Sequence, residues 1–491
     1  MKVVKGLQPV WERSIIDENQ TTADFLVATP VKKEVVFLPD RPWETKMAHY
    51  ANVIYSDGKY RMYYITHLAN SMKKEYADGR DGELNEILDL YVCYAESEDG
   101  LHWIKPNLGI HEYEGSKENN IILRSIDKPE YWGHFDNFFV FIDTNPNCAP
   151  EKRYKAIAMM WRHKVAGYYS SDGIHWELDS YLDAQCMFDS LNVCWWDERI
   201  NKYVLYARGF HNVPEDGNLE FGLRDIKRFE SEDFYHWSAP ELVTFPNSED
   251  CHMYTNNIMR YYRNRDIYVG FPTRYLYRRA WTDNYEQLCS KEGRLEVMKK
   301  EARLGLAITD CVFMVSRDGV EFDKFDEALF TPGYEFESNW LYGNCYPVYF
   351  MLETPVGDGK NKEISMFVVQ EYNCLTPKCM DTMERWTFRI DGFAYYNAKY
   401  RGAKVVTNPF VFEGDEFYIN FSTSASGSMY VTMKDADGNA IKTCELFGDS
   451  VSRKVNFENA NISQFSGKEV VLEFEMKDAK LYAFEFKHSV K

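Results

Sequence analysis

Hydrophobic and polar residues alternate with a period of two in many short stretches of this chain. Clear examples are K-Y-R-M-Y-Y-I, which follows the turn Ser56-Asp57-Gly58, and N-K-Y-V-L-Y-A, which begins at Asn201. Successive side chains of a strand point to opposite faces, so this pattern indicates strands that are stacked between neighbouring sheets. The pattern therefore predicts an all-β protein.

A turn motif recurs at the end of five of these groups of strands. Three close copies, S-E-D-G-L-H-W, S-S-D-G-I-H-W and S-E-D-F-Y-H-W, begin at Ser97, Ser170 and Ser231, a weaker copy begins at Ser316, and R-I-D-G-F-A-Y begins at Arg389. Asp-Gly supplies a tight turn and the aromatic residue closes the unit. The copies are 73, 61, 85 and 73 residues apart, which leaves room for the four strands of one propeller blade.

Each turn is preceded by an asparagine that opens an apolar strand, namely Asn52, Asn137, Asn192, Asn257 and Asn344. Five openings matched by five closings predict a five-bladed β-propeller. The uneven spacing indicates insertions, and the charged, helix-leaning segments 68–89 and 283–303 are expected to decorate its rim.

The repeat stops near residue 400. Alternating stretches such as S-M-Y-V-T-M-K and E-V-V-L-E-F-E-M then follow, separated by turn residues, which is typical of an antiparallel β-sandwich. We therefore predict a propeller over residues 1–400, with the N-terminal segment packing on it, and a C-terminal antiparallel β-sandwich over residues 401–491. The sandwich is expected to brace the propeller.

Charge and composition narrow the class of partner. The 491 residues carry 57 Lys and Arg against 76 Asp and Glu, a net charge of -19, which disfavours nucleic acid and membrane partners. The abundant aromatic residues suit flat apolar faces such as those of sugars. No stretch is apolar enough for a signal peptide or a membrane span, so a cytoplasmic location is expected unless a leader has been removed. The eleven cysteines are scattered without a C-x-x-C pair and are expected to be buried thiols.

The positions of the asparagines predict which side chains meet at the propeller axis. Three residues before them stand His49, His134, Asp189, Tyr254 and Leu341, and one residue before them stand Ala51, Asp136, Leu191, Asn256 and Gly343. The inner strands of all blades converge on one channel, and residues two apart share a face of a strand. Asp136 and Asp189 are therefore expected to be neighbours at the mouth of this channel.

This layout resembles a known enzyme superfamily. The W-E pair, the strands that begin with asparagine, the S-x-D-G-x-x-W turns and the segment P-N-L-G-I-H-E-Y-E-G-S-K-E-N-N-I-I are similar to the five-bladed glycoside hydrolases of families 32, 43 and 68. The closest resemblance is to an uncharacterised branch with a C-terminal β-sandwich. The resemblance implies cleavage of a glycosidic bond, with furanosides such as fructosides or arabinosides favoured.

The resemblance also implies three acidic residues at the first three blade entrances, acting as nucleophile or base, as helper and as general acid. Asp136 matches the helper, and Asp189 stands in the position of the acid, where the family usually has Glu. In the first blade, His49 stands where an Asp is expected. Glu44 is the candidate replacement and Asp40 the alternative, with a structural role for Glu44 equally open.

Further polar and aromatic residues near the predicted entrances are candidates for binding the substrate. They are Asp40, His49, His134, Arg208, Asp250, His252, Asn256, Arg274, Glu337, Trp340 and Glu371. Trp340 is suited to stacking on a sugar ring. The histidines have no recognised ligand spacing, so neither a cofactor nor a catalytic metal is expected, and a structural cation on the axis remains open.

Three functions remain open at this point. The first is hydrolysis of an oligosaccharide or small sugar substrate in the axial pocket. The second is a propeller glycosyltransferase or phosphorylase, which needs one carboxylate and basic residues for an anion, such as Arg208, Arg274 and Arg278. The third is a non-catalytic glycan-binding protein, favoured by the absence of the first-blade Asp. An oligomer is compatible with each of them.

Overall fold

The computed structural model describes residues 2–44, 48–67, 90–124, 137–160, 164–215, 217–299, 301–336, 339–357, 359–370, 381–458 and 460–489. Strands account for 52% of the chain and helices for 7%. The predicted all-β class is therefore confirmed.

Five sheets follow one another along the chain, which confirms the predicted five-bladed propeller. The strands of blade 1 are His49–Ser56, Lys59–His67, Leu90–Ser97 and Ile121–Arg124, and those of blade 2 are Phe138–Ile142, Tyr154–Met160, Lys164–Ser170 and Glu177–Leu182. Blade 3 comprises Val193–Asp197, Lys202–His211, Leu223–Ser231 and Glu241–Leu242. Blade 4 comprises Met259–Arg260, Tyr268–Gly270, Thr273–Tyr277, Ala307–Ser316 and Asp323–Phe330. Blade 5 comprises Tyr346–Pro347, Leu352–Val356, Asn361–Gln370, Thr382–Arg389 and the N-terminal strand Val31–Phe37.

The N-terminal strand Val31–Phe37 closes the ring. It pairs antiparallel with Thr382–Arg389, so that Phe37 lies opposite Met383 and Val31 opposite Thr387. The last blade is thus completed by the segment that precedes the first blade. Backbone hydrogen bonds, and not side-chain packing alone, hold the seam of the propeller together.

The repeated turn has one hydrogen-bonding pattern in the first four blades. In blade 1, the Ser97 hydroxyl accepts the N–H of Gly100 at 2.9 Å, and the Asp99 carboxylate accepts the next two N–H groups, both at 2.8 Å. Equivalent bonds are made by Asp172, Asp233 and Asp318. The motif is therefore a structural turn.

Blade 3 departs from this motif at one position. Phe234 stands where the other three of these turns have glycine, and it adopts the same left-handed backbone, with a φ of 77°. Its ring is fully buried, 5.3 Å from the ring of Tyr203 and 4.5 Å from Nζ of Lys155. Aromatic packing thus compensates for the backbone strain that glycine avoids.

The five asparagines that open the blades are buried, and some of them, such as Asn52 and Asn257, join neighbouring blades. The amide of Asn52 donates to the carbonyl of Val140 at 2.7 Å and accepts the N–H of the same residue at 3.1 Å. Asn257 donates to the carbonyl of Pro347 at 2.6 Å. These residues connect blade 1 to blade 2 and blade 4 to blade 5, so the sequence pattern marks positions where blades are held together.

The remaining strands form a ten-stranded sheet that draws on both ends of the chain. Its two long strands, Glu416–Asp435 and Glu469–Lys487, are antiparallel, and bulges interrupt their pairing. The other strands are Lys2–Val4, Leu7–Pro9, Asp24–Val27, Ala394–Ala398, Ala403–Val406, Phe410–Phe412, Ala440–Lys442 and Asp449–Val455. This sheet encloses a hydrophobic core of its own.

A buried junction connects the propeller to this sheet. Nε1 of Trp11 donates to the carbonyl of Asp391 at 2.9 Å. The carboxylate of Asp391 accepts the hydroxyl of Tyr261 at 2.5 Å and lies 3.1 Å from Nε of Arg263. Asn420, on a long strand of the terminal sheet, donates to the carbonyl of Ile390 at 2.7 Å. The fifth copy of the motif therefore anchors the terminal sheet.

Helical segments are few and short. The charged insertion of blade 4 forms three α-helices, Asp283–Gln287, Lys291–Met298 and Ala302–Leu306, whereas the predicted insertion 68–89 lies outside the described residues. Single 3-10 turns are Arg13–Ile15, Pro42–Glu44, Pro150–Lys152, Leu219–Phe221 and Ile462–Gln464. In the described part of the chain, no helix has the length and apolar character needed to cross a membrane.

Candidate functional site

The loop that enters blade 3 holds Asp189 between two strained residues. Phe188 and Ser190 adopt left-handed φ values of 54° and 66°, and both are fully buried. The amides of Asn137 and Asn192 donate to the carbonyls of these two residues. The side chain of Asp189 is 37% exposed. A costly backbone conformation persists where its surroundings impose it, so this loop presents a carboxylate from a fixed position.

The same unusual backbone recurs at other blade entrances. Tyr50 and Ser190 each stand two residues before a blade asparagine and have φ values of 48° and 66°. Phe188 and Trp340 each stand four residues before one and have φ values of 54° and 59°. The entrances of blades 1, 3 and 5 therefore share a strained geometry, and strain of this kind is concentrated at functional sites in proteins.

Asp189 forms an ion pair with Arg208. Nη2 of Arg208 contacts Oδ2 of Asp189, and Arg208 is only 3% exposed. The guanidinium carbon lies 5.1 Å from the ring centre of Tyr254 and 5.2 Å from that of Phe210. A nearby positive charge favours the ionised form of a carboxylate. The arrangement therefore holds Asp189 as an anion.

A cluster of tyrosine rings from three blades adjoins this ion pair through Tyr254. The ring centre of Tyr254 lies 5.4 Å from that of Tyr342, 5.8 Å from that of Tyr346 and 5.9 Å from that of Tyr275. Tyr346 in turn lies 6.4 Å from Tyr50 of blade 1. Burial holds the pKa of Tyr342 well above its ordinary value, so this hydroxyl is neutral. The rings of the cluster are buried, with exposed fractions of 2–7%, and Tyr254 connects them to Arg208.

A second arginine lies next to the first. The guanidinium carbon of Arg224 is 5.5 Å from the ring of Phe210, which Arg208 also contacts, and 4.7 Å from the ring of Tyr275. Burial and the charge of Arg208 lower the pKa of Arg224. The backbone N–H of Arg224 donates to Nδ1 of His252 at 3.1 Å. Burial and the charge of Arg224 lower the pKa of His252 to about 4, so the imidazole is neutral near pH 7.

Glu44 is completely buried within blade 1 and the segment that leads into it. Its Oε1 accepts the hydroxyl of Tyr64 at 2.5 Å, and its Oε2 accepts Nζ of Lys105 at 2.7 Å and the N–H of Arg41 at 2.8 Å. The exposed Asp40 contacts the same Lys105 at 2.8 Å. Both oxygens of Glu44 are thus engaged by donors of the protein, which fits a structural role.

Two other predicted binding residues form ion pairs within the propeller. Arg274 makes a two-pronged contact with Asp310, at 2.9 and 2.7 Å. Asp250 lies 2.6 Å from Nε2 of His211, whose Nδ1 lies 3.1 Å from Asp225. These contacts tie neighbouring segments of blades 3 and 4 together.

Asn256 and Trp340 are also committed to contacts within the protein. Asn256 is 1% exposed, and its amide donates to the carbonyl of Leu191 at 3.0 Å, which joins blade 4 to blade 3. The indole of Trp340 donates to the carbonyl of Gly333 at 2.9 Å and packs against the helical insertion. Among the predicted binding residues that the structure describes, Arg208 contacts Asp189, and the ring of His252 lies 5.7 Å from that of Tyr275.

Four predicted residues, Asp136, His134, Glu337 and Glu371, lie outside the described residues, as does the side chain of His49. The predicted neighbourhood of Asp136 and Asp189 therefore stays a prediction, as does a cation on the axis. Among the described residues, no group of three or more His, Cys, Asp or Glu is arranged to hold a metal ion. The nine described cysteines are free thiols, and four of them are buried.

The sequence analysis missed Arg224, Tyr275 and Tyr342. Tyr342 stands two residues before its blade asparagine, as Tyr50 does, so including that position in the predicted ring would have identified it. Arg224 stands opposite Phe210 in the hairpin of blade 3. The repeat carries no signal for this position, because its importance depends on rings from another blade.

No family model matches the sequence, and no curated protein matches it. One similar solved structure is an N-acetylgalactosamine deacetylase from F. plautii in complex with blood group B trisaccharide. Its sequence is 11% identical, the alignment covers 75% of this chain and 95% of that chain, and the TM-score is 0.41. A putative glycoside hydrolase from Bacteroides ovatus has 12% identity, coverage of 75% and 98%, and a TM-score of 0.41. An exo-β-1,3-galactanase from Phanerochaete chrysosporium, solved with galactose, has 10% identity, coverage of 93% and 100%, and a TM-score of 0.33. These similarities are distant, and the assignment of five blades follows from the sheets of this chain.

Proposed function

We propose that this protein is a glycoside hydrolase whose reaction centres on Asp189. The observation that carries the proposal is a partly exposed carboxylate, fixed by a strained loop and paired with the buried Arg208, which adjoins a cluster of tyrosine rings from three blades. Aromatic rings pack on the apolar faces of sugars. A carboxylate stabilises the positive charge that develops at the anomeric carbon during glycoside cleavage.

The ion pair favours a role for Asp189 as base or nucleophile. A general acid must carry a proton at the start of the reaction, whereas a carboxylate in contact with a guanidinium tends to stay ionised. This role differs from the general acid that the family resemblance implies. A second carboxylate must then donate the proton to the leaving oxygen. We propose Asp136 for this step, although the family resemblance implies the role of helper for it. Furanosides are favoured as substrates on the resemblance alone.

The decisive experiment measures the release of reducing sugar from a panel of oligosaccharides and aryl glycosides that includes fructosides and arabinosides. We expect Asp189→Asn to lower kcat by roughly 100-fold or more in a protein that is still folded at the assay temperature, although its melting temperature should fall because the buried Arg208 loses its charged partner. Asp437→Asn makes the same chemical change in an exposed turn of the terminal sheet and is expected to keep full activity. Equal turnover by the two variants would exclude Asp189 from the reaction.

Chemical rescue distinguishes a reacting carboxylate from one that only binds sugar. Asp189→Gly leaves space beside the anomeric carbon, so sodium azide is expected to restore turnover and to form a glycosyl azide. The small anion then takes the place of the missing nucleophile or activated water. If azide restores nothing and the variant also loses affinity for sugars, Asp189 is a binding residue.

A further inference from the structure

We infer that Arg224 and Arg208 form a binding site for an oxyanion, which is either the carboxylate of a uronic acid residue or inorganic phosphate. The inference extends the proposed function, because this site adjoins Asp189 and specifies the class of substrate. It assigns Arg224 to the recognition of a charged group.

In the part of the chain that the structure describes, a single carboxylate is paired with the two arginines. Both guanidinium groups contact Phe210, at 5.2 and 5.5 Å. Arg208 is paired with Asp189, but Arg224 has no carboxylate partner among the residues that the structure describes. The chain as a whole is negative, with a net charge of -19. Two adjacent arginines with one carboxylate partner leave a local excess of positive charge, which attracts anions.

Several other arginines of the propeller face a carboxylate, whereas the fully buried Arg294 donates to three backbone carbonyls instead. Each of three half-buried or buried arginines has a carboxylate within 2.8 Å, namely Arg228 with Glu230, Arg260 with Asp197 and Arg274 with Asp310. Burying a charge is costly unless it is paired. Within the described part of the chain, Arg224 therefore has neither the carboxylate of these three arginines nor the carbonyl partners of Arg294.

The hydrogen-bond donors of the two arginines point to oxygen ligands. Nε and Nη1 of Arg208 and Nε of Arg224 are buried and have no hydrogen-bond partner in the described part of the protein. The rings of Tyr254 and Tyr275 lie beside the guanidinium groups at 5.1 and 4.7 Å. Guanidinium N–H groups are arranged in a planar fork that matches carboxylate and phosphate oxygens. Arg228 and Arg260 also have an unpaired Nε, but among the described arginines only Arg208 has a buried, unpaired Nη1 as well, and an oxyanion would satisfy this additional donor.

Binding measurements on the whole protein test this site without relying on turnover. We compare galacturonate with galactose, glucuronate with glucose, and inorganic phosphate with chloride by calorimetry at constant ionic strength. At least one acidic ligand is expected to bind more than tenfold more tightly than its neutral or chloride counterpart. Arg224→Gln is expected to lower the affinity for that ligand by roughly 10- to 100-fold, the range for a hydrogen bond to a charged group. Arg401→Gln, in an exposed turn of the terminal sheet, is the matched control and should bind normally.

The two sources of the oxyanion give different results. Preference for a uronate over its neutral counterpart assigns the site to an acidic sugar. Saturable binding of phosphate, with a sugar phosphate as the product, assigns it to phosphate. In that reaction a phosphate oxygen bonds to the anomeric carbon as the glycosidic bond breaks, and the leaving oxygen takes a proton from the general acid. Equal affinity for acidic and neutral sugars, together with no phosphate binding, overturns the inference.

Failure of this inference is distinguishable from failure of the proposed function. Hydrolysis of neutral glycosides by Arg224→Gln at the wild-type rate, without a preference for acidic ligands, overturns the oxyanion site and leaves Asp189 in place. Tight binding of an oxyanion without hydrolysis or phosphorolysis supports the site and contradicts the proposed enzyme. If Arg224→Gln does not fold, the ligand preference of the wild-type protein decides the matter.

Discussion

Replacing Glu44 with glutamine tests whether the buried carboxylate of blade 1 supports the fold or the reaction. Its Oε2 accepts Lys105 and the N–H of Arg41, and its Oε1 accepts the hydroxyl of Tyr64. Glutamine has nearly the same shape but only one acceptor oxygen. The substitution therefore removes a buried charge and reverses one hydrogen bond while leaving the packing intact.

The contacts of Glu44 set the expected magnitude. Removing one partner of a buried ion pair costs about 3–5 kcal/mol. The exposed Asp40 still contacts Lys105 at 2.8 Å, which reduces the loss. The new amide would donate to the hydroxyl of Tyr64, which already accepts Nδ2 of Asn120 at 2.8 Å, so the tyrosine O–H loses its acceptor at a cost of about 1–3 kcal/mol. We expect the free energy of unfolding to fall by about 2–4 kcal/mol.

Urea unfolding, combined with the turnover of the folded protein at 25 °C, measures both effects. Glu96→Gln is the matched control, since Glu96 also accepts a lysine and a tyrosine, Lys59 at 2.8 Å and Tyr94 at 2.9 Å, but is 28% exposed. The free energy of unfolding of Glu96→Gln should fall by less than about 1 kcal/mol. Unchanged stability of Glu44→Gln with a 100-fold or larger loss of turnover, roughly the contribution of a catalytic acid or base, would refute the structural role.

Three further outcomes are expected. Phe234→Gly relieves the strain of a left-handed backbone, about 1 kcal/mol, but loses the packing of a buried ring, which contributes about 3–5 kcal/mol to stability. The melting temperature should therefore fall, and a rise would show that the strain is the larger effect. Asn52→Ala breaks both hydrogen bonds to Val140 and should cost about 1–3 kcal/mol, measured by urea unfolding, whereas no loss would contradict its role between blades. Between pH 6.5 and 4, the unfolded chain takes up a proton that folded His252 does not bind, so the unfolding free energy should decrease as the pH falls. His252→Gln should weaken this dependence, and an unchanged slope would contradict the assignment.

The propeller was predictable because its signals are local. The hydrogen bonds of the turns join residues within a few positions of one another, as from Asp99 to His102, so the same letters recur wherever the same turn forms. The exceptions depend on distant contacts. Phe234 replaces glycine because rings and a lysine from other strands enclose it. Asp391 serves as a junction because Trp11 and Asn420 approach it from both ends of the chain.

The site was less predictable because it depends on which charges meet across blades. The asparagine positions predict that Asp189 lies in the channel, since inner strands converge on the axis, and this placement stays a prediction. They gave no information on Glu44, whose partner Lys105 is 61 positions away. The asparagine positions also gave no information on Arg224, whose environment includes Tyr275 of the next blade. Pairing and burial are decided by these distant residues.

The strand Val31–Phe37 has a consequence for how the ring assembles during translation. Its partner, Thr382–Arg389, leaves the ribosome hundreds of residues later. Nascent blades 1 to 4 are therefore expected to stack as an open crescent that leaves unpaired strand edges available to other chains. Ribosome pausing within the fifth blade would prolong this state, and chaperone capture should be greatest at that stage of synthesis.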